Sequence, residues 1–369
     1  FPRDAWEGAV EARAEEGSED YFSGGPDGRI DTPFFKEAHK VGRKKLSVSR
    51  LMNPWWNRKD KKERIEQYGG ENTDFYKQDI LGEWGKPVRS VWPMRQIAEA
   101  THHQWPVNIR RIGWDEFVEV HGGPDLSAAS EFDLWSYVDL LLGEFLTSLT
   151  GSGAGVYCLA GQDYGVVGDP TEIVVFKVDT DNAFRYHCRV TLDNIPDSIQ
   201  QIILKYMIER LNIKKIGLDA QGVGYGLAAG LAFSSRYKDI VIPVQGSEKV
   251  TIGWKITQED YTGVSEAVTE YIKSLSTHFA IQLFKEKRIW LFDDQELWTQ
   301  LAGEMVSQNA EGREIYRSKG EDHIITALRN FAYAVWRMEL GDRIQTPPES
   351  VGQRIEMPVV LGRNIFARM

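Results

Sequence analysis

Cysteine is nearly absent from the sequence, with only Cys158 and Cys188 in 369 residues. Each lies inside an apolar, strand-like run and no CxxC spacing occurs. This excludes a disulfide-stapled fold and a cysteine zinc site, and predicts two reduced, packed thiols in a cytosolic protein. No run approaches the roughly 18 apolar residues that span a bilayer. The first residues, FPRDAWEGAVEARAEE, are too charged for a signal peptide, so no membrane association is expected. A phosphate-cradling G-x-x-x-x-G-K-[ST] run is missing too. The nearest stretches, TGSGAG at 150–155 and GEWGKP at 82–87, lack the lysine or the hydroxyl that phosphate binding needs, and no ATPase activity is expected from this chain alone. Internal repeats and low-complexity tracts are absent. A chain that opens on Phe1 rather than methionine is expected to be a fragment or a processed product.

An overall positive charge is also lacking, since the formal net charge is −10. The charge is uneven, however. From Lys36 to Arg64 there are 11 Lys and Arg against 3 Asp and Glu, a local +8 that leaves −18 for the remainder. This segment carries GRKK at 42–45 and NRKDKKER at 57–64, interleaved with Phe34, Phe35, Trp55 and Trp56. That suits a surface facing phosphates or an acidic protein, with Arg43, Lys44 and Lys45 as candidate DNA contacts; the competing reading is a solvated helical face. With 42% apolar and 11% aromatic residues, the chain has ample material for packed cores.

Residues 1–90 read as helices and loops. SGGPDGR at 23–29 is a turn cluster, RKDKKERIEQYGG at 58–70 a helix stopped by two glycines, and DFYKQDILGEWGKP at 74–87 an amphipathic helix ending at Gly85. Residues 91–155 form a connecting region with an amphipathic stretch at 132–149 and a linker at 150–155. From 156 to 340 the pattern is regular: strands at GVYCLAGQD, EIVVFKV and FRYHCRVTL, a helix at SIQQIILKYMIERLN, a strand at KKIGLDA, a helix at YGLAAGLAF, a strand at DIVIPV, and then a stretch dominated by helices to about residue 338. Residues 341–369 are a C-terminal tail. Three consecutive strands followed by alternating helices and strands predict an α/β fold, a ribonuclease H-like mixed sheet flanked by helices and preceded by a mostly helical or irregular N-terminal region.

In open α/β sheets ligands sit beyond the carboxyl ends of parallel strands, and two carboxylates fall at such ends, Asp163 and Asp219. On neighbouring strands they share one small volume. At about 4 Å two unit charges repel by roughly 4 kcal/mol at an effective dielectric of 20, so the pair calls for a cation. Oxygen-only ligation and the lack of a His/Cys cluster favour one or two Mg²⁺ or Mn²⁺ ions. A strand-end aspartate also forms turns, as Asp169 in GDPT is placed to do, and Asp169 is at most an accessory ligand. A third carboxylate comes from RSKGEDHIITALRNFAYAVW, where Asp322 leads a helix with the apolar stripe Ile324, Ala327, Leu328, Phe331 and Val335. Ser318 and Glu321 have capping-box spacing, so that Glu321 caps the helix while Asp322 points to the sheet. Arg317 and Lys319, just upstream, are candidates for neutralising phosphate.

QDYGVVGDPTEIVVF, IGLDAQGVG and SKGEDHIITAL together resemble the three acidic motifs in the nuclease domain of the large terminase subunits of tailed bacteriophages. SRLMNPWWNRKDKKERIEQYGGENTDFYKQDILGEWGKP is similar to the segment that follows the packaging ATPase in those proteins, and the resemblance covers about residues 23 to 335. The family's third motif has two adjacent aspartates, whereas here Asp322 follows Glu321 and precedes His323, which leaves the third ligand between these two carboxylates. The resemblance implies a metal-dependent endonuclease that cuts concatemeric double-stranded DNA in the infected cell's cytoplasm, with metal held by Asp163, Asp219 and Asp322. It also implies the portal protein and the small terminase subunit as partners and is compatible with a homo-oligomer in the full-length motor, residues 1–90 being the trailing part of the ATPase domain and linker. Other readings are a junction resolvase or transposase-like nuclease of the same fold, a non-catalytic module that docks on DNA or the portal, and a dinucleotide protein using GYGLAA at 224–229 as G-x-G-x-x-A.

Overall fold

The computed structural model describes residues 49–52, separate positions within 59–82, 89–149 except 124 and 126–128, 157–256 except 166–167 and 223, 265–308, 314–318, 320–341 and 344. The chain divides into two compact units, one of Phe1–His103 with Asp293–Ile325, the other of Gln104–Phe292 with Thr326–Met369. The expected linker at 150–155 and the turn cluster at 23–29 lie outside the described residues. No helix among the described residues is long and apolar enough to cross a membrane.

In the smaller unit a helix α1, Met94–Ala100, buries Ile97 and Ala100. Upstream, only residues 76–82 of the expected helix at 74–87 are described. A wide-turned helix at Lys77–Leu81 closes at Gly82, whose φ of 68° lets its N–H turn back to the Lys77 carbonyl. Gly82 thus ends this helix, and the expected stop at Gly85 lies outside the described residues.

The larger unit is built on a mixed sheet. Its elements in chain order are β1 (Ile109–Gly113), α2 (Trp114–His121), α3 (Glu131–Leu149), β2 (Cys158–Asp163), β3 (Thr171–Val178), β4 (Phe184–Asp193), α4 (Asp197–Arg210), β5 (Ile213–Asp219), α5 (Gly224–Ala232), β6 (Val241–Val244), β7 (Lys249–Ile256), β8 (Ser265–Tyr271), α6 (Ile272–Lys285) and β9 (Ile289–Phe292). The central order is β4-β3-β2-β5-β6, with β9 and β1 both pairing with β4. β2, β3 and β4 form an antiparallel meander, and β5 and β6 add in parallel to the other edge of β2. This is the ribonuclease H-like arrangement expected from the chain. β2 is buried along its whole length, which explains why it reads as a continuous apolar run rather than an alternation.

Helices are not the only elements after residue 244. β7 and β8 pair antiparallel as a hairpin, and in the smaller unit, after α7 (Gln295–Gly303), β10 (Glu304–Gln308) pairs with β11 (Glu314–Ser318). KVTIGWKI alternates strictly between polar and apolar residues, a strand signature that the helical reading passed over, whereas SEAVTEY alternates only weakly and takes its strand preference from β-branched Val268 and Thr269.

One face of the sheet buries Ala160, Ile173, Val175, Cys188 and Val190 with α3 and α4 in a single apolar cluster. Both cysteines are free and buried, as expected. Over the opposite face lies α8, His323–Trp336. Gly161 and Gly217 are register partners on β2 and β5. A Cβ added at Gly161 would collide with the Ala327 carbonyl and the Phe331 amide, and one added at Gly217 with the Asn330 carbonyl. The helix therefore rests on bare backbone. Asn330 Nδ2 donates to the Gln162 carbonyl at 2.7 Å, and Phe331 stacks on Phe176 with ring centroids 4.1 Å apart.

Candidate functional site

The register of β2 and β5 places the two strand-end carboxylates together. Gln162 pairs with Leu218 in parallel register, so Asp163 and Asp219, the next residues, stand side by side on strands roughly 5 Å apart. They project to the same face as Gly161 and Gly217, two positions earlier, because side chains alternate along a strand. That is the α8 face. Asp163 is 8% exposed and Asp219 is half-buried. Burial raises the carboxyl pKa of Asp219, although the backbone N–H groups of Gln221 and Ala220 partly offset this; Gln221 N donates to its Oδ1 at 3.1 Å. A charged carboxylate is thus held where desolvation opposes charge, beside a second carboxylate. The donors are all oxygens, which fits a hard divalent cation.

The turn after Asp163 is fixed from both sides. Tyr164 donates its hydroxyl to Asp197 at the start of α4, and burial, followed by that carboxylate, raises the phenol pKa. The Gly165 amide donates to Thr171 Oγ1 at 2.8 Å, and Thr171 in turn donates to Gln200 Oε1 at 2.8 Å. Asp169 lies exposed within this turn.

Asp322 belongs to the smaller unit, half-buried immediately before α8, with Glu321 exposed beside it. The expected Ser318–Glu321 capping box does not start this helix. Ser318 ends β11, and its hydroxyl makes no protein hydrogen bond. Gln300 of α7 caps instead: its Oε1 accepts from Ile324 N at 3.0 Å and Ile325 N at 3.3 Å. A cap contributed 24 residues away has no local signature. Among the described residues, no three His, Cys, Asp or Glu side chains are grouped to hold a metal ion; what the larger unit brings together is the pair Asp163 and Asp219. Arg317 is partly buried on β11. Lys319, Arg43, Lys44 and Lys45 lie outside the described residues.

The dinucleotide reading of GYGLAA fails on backbone donors. Gly224 N already donates to Gln221 O at 3.0 Å and Tyr225 N to Gly222 O at 3.4 Å, and Gly224 opens α5 with its Cα packed toward the Asp219 carbonyl. The amides that a pyrophosphate would need are spent on the turn.

Sequence reasoning missed Glu172, Arg189 and Thr191, a polar group buried on the same face as Asp163. Arg189 and Glu172 form an ion pair at 3.4 Å, and Thr191 donates to both Glu172 oxygens at 3.0 and 2.9 Å. The available signal was a Glu and an Arg inside otherwise apolar strands; only the pairing of β3 with β4 shows that they meet.

No family model and no curated protein sequence matches the chain. Solved structures similar to it include the large terminase nuclease from thermophilic phage G20c with bound magnesium, at 17% identity over 49% of this chain and 82% of that one, TM-score 0.37. The large terminase of bacteriophage HK97 is 10% identical over 77% of this chain and 52% of its own, TM-score 0.37. The nuclease domain of the large terminase from bacteriophage SPP1 with bound manganese is 11% identical over 63% of this chain and 97% of its own, TM-score 0.30.

Proposed function

We propose that this chain is the nuclease part of a viral DNA-packaging large terminase, a metal-dependent endonuclease that cuts concatemeric double-stranded DNA in the infected cell. The observation that carries the reading is the pair Asp163 and Asp219, held side by side and partly desolvated at the carboxyl ends of adjacent parallel strands. A divalent Mg²⁺ or Mn²⁺ held there would supply an activated water for attack on a phosphodiester and would stabilise charge on the leaving oxygen. Asp163 and Asp219 would hold the ion, and the hydrogen bonds of Tyr164 to Asp197 and of Gly165 to Thr171 fix the chain on the carboxyl side of Asp163. Asp322 is the proposed third ligand, with Glu321 as its alternative and Asp169 as an accessory; the cap from Gln300 relieves Glu321 and Asp322 of starting α8. Arg317 and Lys319 neutralise phosphate near the scissile bond, and Arg43, Lys44 and Lys45 contact the backbone further along the duplex. The partners this implies are double-stranded DNA, the portal protein and the small terminase subunit.

Asp163→Asn and Asp219→Asn test the reading directly. Each keeps the side chain's shape and removes one charge, so plasmid nicking in millimolar MgCl₂ or MnCl₂ is expected to fall to background. Nicking at the wild-type rate by either variant would refute it. Supercoiled plasmid cut as readily as a branched junction separates a packaging nuclease from a junction resolvase of the same fold.

A further inference from the structure

The chain that follows Asp163 is tied to the start of α4 by a buried polar cluster. Thr171 is 0% and Gln200 2% exposed, yet every polar atom of the two side chains is engaged. Thr171 Oγ1 accepts from the Gly165 amide at 2.8 Å and donates to Gln200 Oε1 at 2.8 Å. Gln200 Nε2 donates to the Ile195 carbonyl at 2.8 Å and to the Gly165 carbonyl at 3.4 Å. Gly165 thus has both its amide and its carbonyl bound within the cluster, and a Cβ there would lie 2.3 Å from the Asp169 and Pro170 carbonyl oxygens. Further along the turn, Gly168 N donates to Asn194 Oδ1 at 3.1 Å, with Asn194 held at a φ of 55°. Asn194, Ile195 and Gln200 run from the end of β4 into the first turn of α4. A buried amide and hydroxyl stabilise only when each donor and acceptor finds a partner, so apolar side chains would join the two segments more simply. A fully satisfied polar network does what apolar packing does not: it admits one geometry. That geometry is imposed on both ends of the turn, at Gly165, two residues beyond Asp163, and at Thr171, which precedes the cross-strand partner of Asp163, Glu172.

We infer that Thr171 and Gln200 are positioning residues: with Asn194 they latch the turn after β2 onto the start of α4, and so fix the end of β2 that carries Asp163 for a small divalent cation. They act through the Gly165 backbone and touch neither ion nor substrate. Groups that lie behind a metal ligand and fix its orientation typically change metal affinity by about tenfold to a hundredfold. Mg²⁺ demands near-ideal octahedral geometry, whereas Ca²⁺ accepts longer and looser coordination. A rigid strand end therefore favours the smaller ion, and a loosened one loses that preference. The inference rests on the reading of Asp163 as a metal ligand.

The test compares Thr171→Val, Gln200→Met and Asn194→Gly with wild type in the full chain, at a temperature where circular dichroism shows each variant folded. Calorimetric titration with MnCl₂ gives the affinity, and displacement of bound Mn²⁺ by MgCl₂ and by CaCl₂ gives the selectivity. Thr171→Val and Gln200→Met keep the buried volume and remove the hydrogen bonds. Each is expected to weaken Mn²⁺ binding on the order of tenfold and to lower the preference for Mg²⁺ over Ca²⁺. Thr171→Ser keeps the hydroxyl and is expected to retain the wild-type affinity. So is Tyr237→Phe, which removes a 2.6 Å hydrogen bond to Glu209 at the far end of α4 and loosens the same helix away from Asp163. Wild-type Mn²⁺ affinity in Thr171→Val or Gln200→Met overturns the inference, as does equal weakening by Tyr237→Phe or a proportionate loss of all three ions. If neither buried variant folds, Asn194→Gly decides. Glycine keeps the φ of 55° and removes only the acceptor for the Gly168 amide, so weaker Mn²⁺ binding supports the latch and unchanged binding overturns it. Asp163→Asn is the control. Wild-type Mn²⁺ binding by that variant would sink the ligand reading itself, whereas its loss alongside unaffected Thr171 and Gln200 variants would sink only the latch.

Discussion

At the scale of single residues, the chemistry depends on where charge is tolerated. Asp163→Asn and Asp219→Asn remove like-charge repulsion, and for Asp219 also a desolvation cost, so the metal-free variants are expected to melt at or above the wild-type temperature while losing cleavage. A lower melting temperature without metal, with cleavage preserved, is the result a packing role would give. Gln300 behaves oppositely. Gln300→Leu leaves the Ile324 and Ile325 amides without an acceptor in a buried setting and is expected to cost about 2 kcal/mol in denaturant unfolding, whereas Gln300→Glu keeps the acceptor, complements the helix dipole and costs little. His187 gives a pH-dependent case. Burial, with Lys177 adding repulsion, lowers its pKa to about 4, below the ordinary value near 6.5, so the unfolded chain takes up the proton first. The stability it contributes is complete above about 6.5 and is lost as pH falls toward 4, by about 3 kcal/mol at most. His187→Gln is expected to flatten that part of the stability-versus-pH curve relative to wild type, as followed by urea unfolding at stepped pH.

At the scale of elements, α8 is the decisive neighbour of the sheet. Its close approach exists because β2 and β5 present glycine at the same register. Gly161→Ala or Gly217→Ala inserts a methyl group into helix backbone that has nowhere to go, since Asn330 and Phe331 are tied to Gln162 and Phe176. The expected cost is about 3 kcal/mol, with cleavage reduced beyond the loss of folded protein because the helix no longer seats over the carboxylate face. The same methyl at Gly253, in the β7–β8 hairpin where a Cβ meets nothing within 4 Å, is the control and should be nearly silent. Unfolding midpoints and nicking rates normalised to folded fraction check both.

At the scale of the whole molecule, charge is segregated. The net of −10 hides a basic segment over 36–64, and if Arg43, Lys44 and Lys45 neutralise phosphates, replacing all three should reduce the slope of log affinity against log salt by roughly 0.9 for each phosphate left without its cation. An unchanged slope in fluorescence-anisotropy titrations would assign the segment to a protein partner or to solvent. The missing phosphate loop yields a further expectation: purified chain with DNA should hydrolyse ATP no faster than a buffer control.

Much of this was legible along the chain because local patterns report local structure. The strands expected at GVYCLAGQD, EIVVFKV, FRYHCRVTL and KKIGLDA fall on β2, β3, β4 and β5, and their order with the intervening helices implied a mixed sheet with Asp163 and Asp219 at strand ends. What the sequence could not express is pairing. That Gly161 meets Gly217, that Glu172 opposes Asp163 and recruits Arg189 from the next strand, and that Gln300 rather than Ser318 and Glu321 caps α8 are all relations between residues distant in the chain. Composition and periodicity constrain each segment by its own propensity and burial; which strand edge, helix face or orphan amide it then meets is settled only when the whole sheet closes, because register is a property of two segments and never of one.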